Sequence, residues 1–170
     1  RAKGIERSGL AGEDVLNLDL LVYELTLAIE GERFHQEQMP INSQDGPHIW
    51  LPQMSDSIPM RTPKHYADYA ARLEAVPALI DQQIEQMRLG VKAGRVPPRV
   101  VLGRSVEQCL AQATPEIEKN PEASPFYKPF AASQDGKESA SRARAAIAGG
   151  IVPAYRKLAA FLKDEYIPAC

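Results

Sequence analysis

Residues able to carry chemistry are scarce in this chain, whose 170 residues include only two cysteines, three histidines and one tryptophan. Cys109 and Cys170 cannot build a disulfide framework. No two of His35, His48 and His65 lie within four residues of each other. That excludes the zinc-peptidase pattern of two imidazoles one helical turn apart with a glutamate beside the first. Charge of one sign is lacking as well. Twenty Lys and Arg against 22 Asp and Glu leave a net −2, so no overall field attracts nucleic acid or anionic lipid, and neither is an expected partner. No apolar run reaches the roughly 18 residues of a membrane span. Even the Leu-rich stretch 15–29 is interrupted by Asn17, Asp19, Glu24 and Thr26.

Other partial motifs fall short of a site. Glu32 and His35 have the Glu-x-x-His spacing of di-iron bundles, but that chemistry needs two copies and two further carboxylates, and one copy is present. Glu30, Glu32, Asp56, Asp164 and Glu165 sit in no pattern that would raise a carboxyl pKa by burial, so they read as solvated charge. His65 reads as an exposed polar residue in a first helical turn. Cys109 lies on an apolar helical stripe with only Arg104 near it to favour a thiolate, which predicts a buried, unreactive thiol. The glycines at 90, 94, 103, 149 and 150 form no phosphate-cradling loop after a strand.

A composition that is 44% hydrophobic and 25% charged, over this length, suffices for one real core. Residues 13–32 project two opposed apolar groups at 100° per residue: Leu18, Leu21, Val22, Leu25 and Ile29 on one side, Leu16, Leu20, Tyr23 and Leu27 on the other. A surface helix needs one stripe, so two predict a helix between layers, covered by the remainder of a larger chain or by a second copy. Thr62-Pro63 reads as an N-cap followed by proline at the first helical position. The stripe Tyr66, Tyr69, Leu73, Val76, Ile80, Ile84, Met87 and Val91 follows, predicting one long helix kinked at Pro77 and stopped at Gly94. A third helix is expected over 98–113 with Leu102, Val106, Cys109 and Ala113 inward, and a last one over 134–166. That last helix carries Ile147, Ile151, Tyr155, Leu158, Leu162 and Tyr166 in register and is kinked near Gly149-Gly150 and Pro153.

Two proline-rich stretches interrupt the helices. Residues 38–63 hold five prolines and predict an ordered, extended excursion with a short strand around 48–51. Residues 115–130 predict a second irregular excursion, anchored by Phe126, Tyr127 and Phe130. The fold class is therefore all-α: long kinked helices in a bundle or layer with two proline-rich excursions, one helical region over 1–170. The only Trp sits with His48, Gln53 and Met54 in proline-stiffened backbone. That is the composition of a groove wall for a peptide or small apolar group, or else of a plug over helix ends. His48, Trp50, Gln53 and Tyr127 are the candidate cleft or interaction residues; no catalytic residue, metal ligand or cofactor is assigned. The opening residues lack an initiator Met and a signal-type apolar core. Either a leader has been removed, which fits a periplasmic or secreted protein, or the start is trimmed, which fits a cytoplasmic one.

The order of several phrases resembles a known family. Tyr23-Glu24-Leu25 leads to Glu30-Gly31-Glu32-Arg33-Phe34, then Met39-Pro40-Ile41-Asn42, the stretch 46–53, and 66–94 with Ala71-Arg72-Leu73 and Val76-Pro77. Pro97-Pro98-Arg99-Val100, Ser124-Pro125-Phe126-Tyr127, 153–158 and 164–168 continue it. Together these resemble the N-terminal part of the bacterial domain of unknown function 885 family, taken to be zinc metallopeptidase-like. The resemblance implies a longer parent whose HExxH motif lies downstream, with this stretch as helical scaffold and part of a substrate-cleft wall. It implies zinc in the parent, a peptide substrate, and no metal ligand or catalytic residue here. The competing expectation is a self-contained helical binding or interaction module.

Overall fold

The computed structural model describes residues 1–131 and 133–170 and resolves into two compact units, 1–36 and 37–170. Among the described residues there is no strand, and the fold is all-α.

The first unit is built on α1 (Gly12–Gly31), with Glu13 and Asp14 in its first turn, where acidic side chains suit the positive end of the helix dipole. Arg7 pairs with Asp19 along its side. Leu18 is buried, whereas Leu16, Leu20, Tyr23 and Leu27 of one sequence stripe and Leu21, Leu25 and Ile29 of the other are exposed.

The second unit is organised by α3 (Pro63–Lys92) and a long C-terminal helical run. Thr62 caps α3 by accepting the His65 N–H, with Pro63 at the first helical position. The helix passes through Pro77 without ending. Its stop is a Schellman motif: Gly94 adopts φ +67°, its N–H reaches the Val91 carbonyl, and the Arg95 N–H reaches that of Gly90. Tyr66, Tyr69, Leu73, Val76, Ile80, Ile84 and Met87 are all buried, as their spacing requires.

The C-terminal run joins α6 (Lys137–Ala146), a π turn (Ile147–Ile151), α7 (Val152–Phe161) and a second π turn (Leu162–Tyr166). Pro153 has no N–H to donate and its ring would collide with the carbonyl one α-turn earlier. The wider turn meets both needs, with the Val152 N–H reaching back to the Ile147 carbonyl. By length and mean hydropathy (1.2) the run could cross a membrane, but most of its apolar window is buried, the position of a core helix. It lies parallel to α3, because ion-pair partners rise together: Glu74 with Arg142, Asp81 with Lys157, Arg88 with Glu165.

The connection between these helices holds α4 (Ser105–Ala111) and α5 (Pro115–Lys119). Here the expected third helix over 98–113 is corrected. A 3₁₀ turn, Arg99–Leu102, is separated from α4 by Gly103 and Arg104, with Arg104 at φ −114° forming the N-cap of α4. The second excursion is also more regular than expected. Thr114-Pro115 and Ser124-Pro125 each cap a short helix with proline at its first position, the second being the 3₁₀ turn Pro125–Phe130. The strand expected near 48–51 is instead a four-residue helix, α2 (Pro47–Trp50). Gly46 at φ +130° followed by Pro47 starts a helical turn rather than an extended run.

Three tyrosines fasten the irregular segments to the helices. Tyr69 donates its hydroxyl to the Phe126 carbonyl (3.2 Å), Tyr155 to that of Pro47 (2.9 Å), and Tyr166 to that of Gln38 (3.4 Å). A buried phenol needs a partner, so each apolar ring carries with it a requirement for one particular loop backbone. Burial pushes the Tyr69 and Tyr166 hydroxyls up to about 12, and Tyr155 higher still, so all three remain donors.

Candidate functional site

The turn before α2 is locked from several sides. The Asn42 side chain accepts the N–H groups of Gln44 (2.8 Å) and Asp45 (2.9 Å), and the Asp45 carboxylate accepts that of Gly46 (2.7 Å). The Ser43 N–H reaches the Val101 carbonyl at 2.7 Å. With Tyr155 holding the Pro47 carbonyl, the backbone carrying His48 is fixed.

His48 is 2% exposed and, among the described residues, neither of its ring nitrogens has a hydrogen-bond partner. The Gln108 side chain and the Asn42 backbone face the ring without closing a bond of good geometry. Burial lowers the imidazole pKa, and those two groups together with Asp45 only partly oppose it, so the ring is neutral at pH 7. Gly46 passes so close that a β-carbon there would stand 2.9 Å from His48 Nδ1.

From α4, Ser105, Gln108 and Gln112 share one face at spacings of three and four. Ser105 Oγ, Gln108 Oε1 and Gln112 Oε1 are buried, again with no hydrogen-bond partner among the described residues. Gln108 Nε2 donates to the Ser43 carbonyl at 3.1 Å, which fixes the orientation of that amide. His48, Gln53, Gln108 and Gln112 line a cleft of about 200 Å³ with Ile49 and Pro52 on its apolar side.

The four sequence candidates are only partly brought together. His48 and Gln53 share the cleft, and Trp50, 44% exposed, stands on the same short helix outside its lining. Tyr127 is elsewhere, buried against Phe130 (ring centroids 5.5 Å apart) and accepting Arg144 Nη1 at 2.7 Å. Gln108 and Gln112 did not stand out in the sequence. They border the Cys109 stripe and read as ordinary helix polarity; their i, i+4 spacing beside a buried stripe was the available signal.

Cys109, Asp56 and Glu165, weighed for catalysis, do not line the cleft. Cys109 is fully buried, with its thiol pushed up to about 12 by desolvation. Asp56 pairs with Lys128 and Glu165 with Arg88. Among the described residues no three of His, Cys, Asp and Glu gather as a metal site.

A family model described as bacterial protein of unknown function, DUF885, matches residues 1–170. The chain belongs to the DUF885 family. No curated protein and no solved structure matches it. The His48–Gln112 cleft is therefore a feature of a DUF885 protein read on its own geometry.

Proposed function

We propose that this DUF885 chain is a non-catalytic helical scaffold whose His48–Gln112 cleft forms part of the substrate wall of a longer, zinc metallopeptidase-like protein. The observation that carries the reading is the cleft's donor set: a neutral imidazole and glutamine amides, with no hydroxyl, thiol or charged side chain among its lining residues. Such groups can hold a substrate by hydrogen bonds. A peptide, with its regular N–H and C=O groups, suits them. Metal ligands would come from residues outside these 170, as the resemblance implies.

The test compares this chain with the complete product of its reading frame, assayed on a quenched-fluorescence peptide library with zinc analysis of both. Cleavage and tightly held zinc are expected only for the longer product. Stoichiometric zinc and cleavage by the 170-residue chain alone would sink the proposal.

The exposed Leu16, Leu20, Tyr23 and Leu27 of α1 favour a second reading, a helical interaction module without catalysis whose partner covers that stripe. An open reading frame ending at Cys170, with a self-associating product in sedimentation, would favour it over the first.

A further inference from the structure

Unpaired buried polar atoms are uncommon in folded proteins and are usually held for a ligand or an ordered water. Here several cluster on two facing short helices: both nitrogens of His48 on α2, Ser105 Oγ and Gln108 Oε1 on α4, and Gln112 Oε1 at its C-cap, each without a hydrogen bond of good geometry among the described residues, although the Gln108 side chain and the Asn42 backbone face the ring. The backbone around them is held by the Asn42 turn, the Gly46 approach and the Tyr155 bond, so they are not the residue of a loose loop.

Their chemistry narrows what they would accept. A neutral imidazole offers one N–H and one lone pair, and the glutamine oxygens add two acceptors. The complement is a group with at least two N–H donors and one carbonyl. No Lys, Arg, Asp or Glu lines the cleft, and the nearby Asp45 carboxylate is turned to the Gly46 N–H, so an ion would enter without a counter-charge in contact, which disfavours carboxylates and ammonium groups. Its volume of about 200 Å³ is below the 300–1,000 Å³ of sites for whole drug-sized ligands, and it fits a side-chain-sized group entering from solvent. Ile49, Pro52 and Ala111 give it walls for methylenes.

We infer that the His48–Gln112 cleft is a recognition subsite for a primary carboxamide, the side chain of a glutamine or asparagine on a peptide. The unpaired atoms are shielded from solvent, so binding engages them through rotation of the half-buried Gln112 side chain, a fast motion, while Gln108 stays held by its bond to the Ser43 carbonyl. The subsite deepens the reading of this cleft as part of a substrate wall and rests on it, but binding is measured on this chain and not through cleavage, so the two can fail separately.

The test is NMR titration of the isotopically labelled full chain with propionamide, and in parallel with N-methylpropionamide, propionate and propylammonium. Gly-Gln-Gly is then compared with Gly-Glu-Gly. Propionamide is expected to shift the His48 ring and the Gln108 and Gln112 side-chain amides saturably, with a Kd on the order of millimolar, as befits so small a ligand. N-methylpropionamide and both ions should bind about tenfold more weakly or not at all, and Gly-Gln-Gly should compete where Gly-Glu-Gly does not. Gln112→Met keeps the length and removes the amide; Ala111→Phe, at an exposed lining position, fills the cleft without replacing any polar group. Either variant, folded by its spectrum, should lose binding about tenfold. No saturable shift would mean the cleft holds water only, and equal binding of propylammonium would mean the donor logic is wrong; each overturns the proposal.

Discussion

At Gly90 an ordinary rule of helix stability should reverse. Replacing a helical glycine by alanine normally stabilises by about 1 kcal/mol. Here a β-carbon would stand 2.8 Å from the carbonyl oxygens of both Gln38 and Arg95, which are backbone atoms and cannot swing aside. Gly90→Ala is therefore expected to lower stability by about 1–3 kcal/mol, the range for overpacking, seen as a lower urea midpoint with an unchanged slope. His48 makes a second prediction at this scale, in pH. Its folded pKa lies below the ordinary 6.5. Below that value the unfolded chain takes up a proton that the folded chain refuses, so stability falls as pH drops from about 6.5 toward the folded pKa. His48→Gln removes the proton, and its urea midpoint should change less than that of the parent between pH 7 and roughly pH 5.5, above the range where surface carboxylates titrate. Parallel profiles would show that the ring is not held neutral.

The π turn that accommodates Pro153 places two adjacent glycines in different surroundings. A β-carbon on Gly149 meets nothing within 4 Å, whereas one on Gly150 would stand 3.2 Å from Cγ of Pro77 on α3. Gly149→Ala should stabilise by about 0.5–1 kcal/mol through reduced freedom of the unfolded chain. Gly150→Ala should lose that gain or destabilise, because a proline ring cannot rotate away. Thermal midpoints of the two variants read the contrast, and equal midpoints would show that the helices separate easily at this point. The same region marks how far periodicity could be read. On α3 the stripe from Tyr66 to Val91 takes 25 residues in seven steps, close to the 3.6 of an α-helix, and every member from Tyr66 to Met87 is buried. From Ile147 to Tyr166 the stripe takes 19 residues in five steps, nearly 3.8. A regular α-helix would carry such a stripe around its axis; the two π turns keep all six members buried. The excess was present in the spacing, and a proline kink was the more familiar explanation for it. The cleft was less legible. His48 and Gln53 stood out because they share proline-stiffened backbone with the only Trp, but their partners Gln108 and Gln112 lie far along the chain, and only tertiary packing joins them.

Across the second unit the buried apolar side chains form one cluster, from Ile41 to Tyr166, that includes Ile41 and Leu51 of the first excursion as well as α3, α4 and α7. Cys109 sits inside it at 0% exposure, on α4, which packs on α7. Its thiol is doubly protected: burial hides the sulfur, and the pKa of about 12 leaves almost no thiolate at pH 8. Cys170, half-buried with Sγ donating to the Tyr166 carbonyl at 3.2 Å, lies at the edge of the same unit. A thiol reagent should therefore modify Cys170 in the native protein, while Cys109 reacts only through opening. Whether that opening is local depends on α4, which at seven residues is too short to persist without its packing. Detaching it would uncover the side of α7 that packs on it and strand the Gln108 bond to Ser43, so its loss should not be separable from loss of the unit. The expected result is that the free energy for Cys109 modification, measured against urea, equals the global unfolding free energy and falls with the same slope. A modification rate independent of urea would instead show that α4 opens alone, and with it the wall of the cleft that carries Gln108 and Gln112.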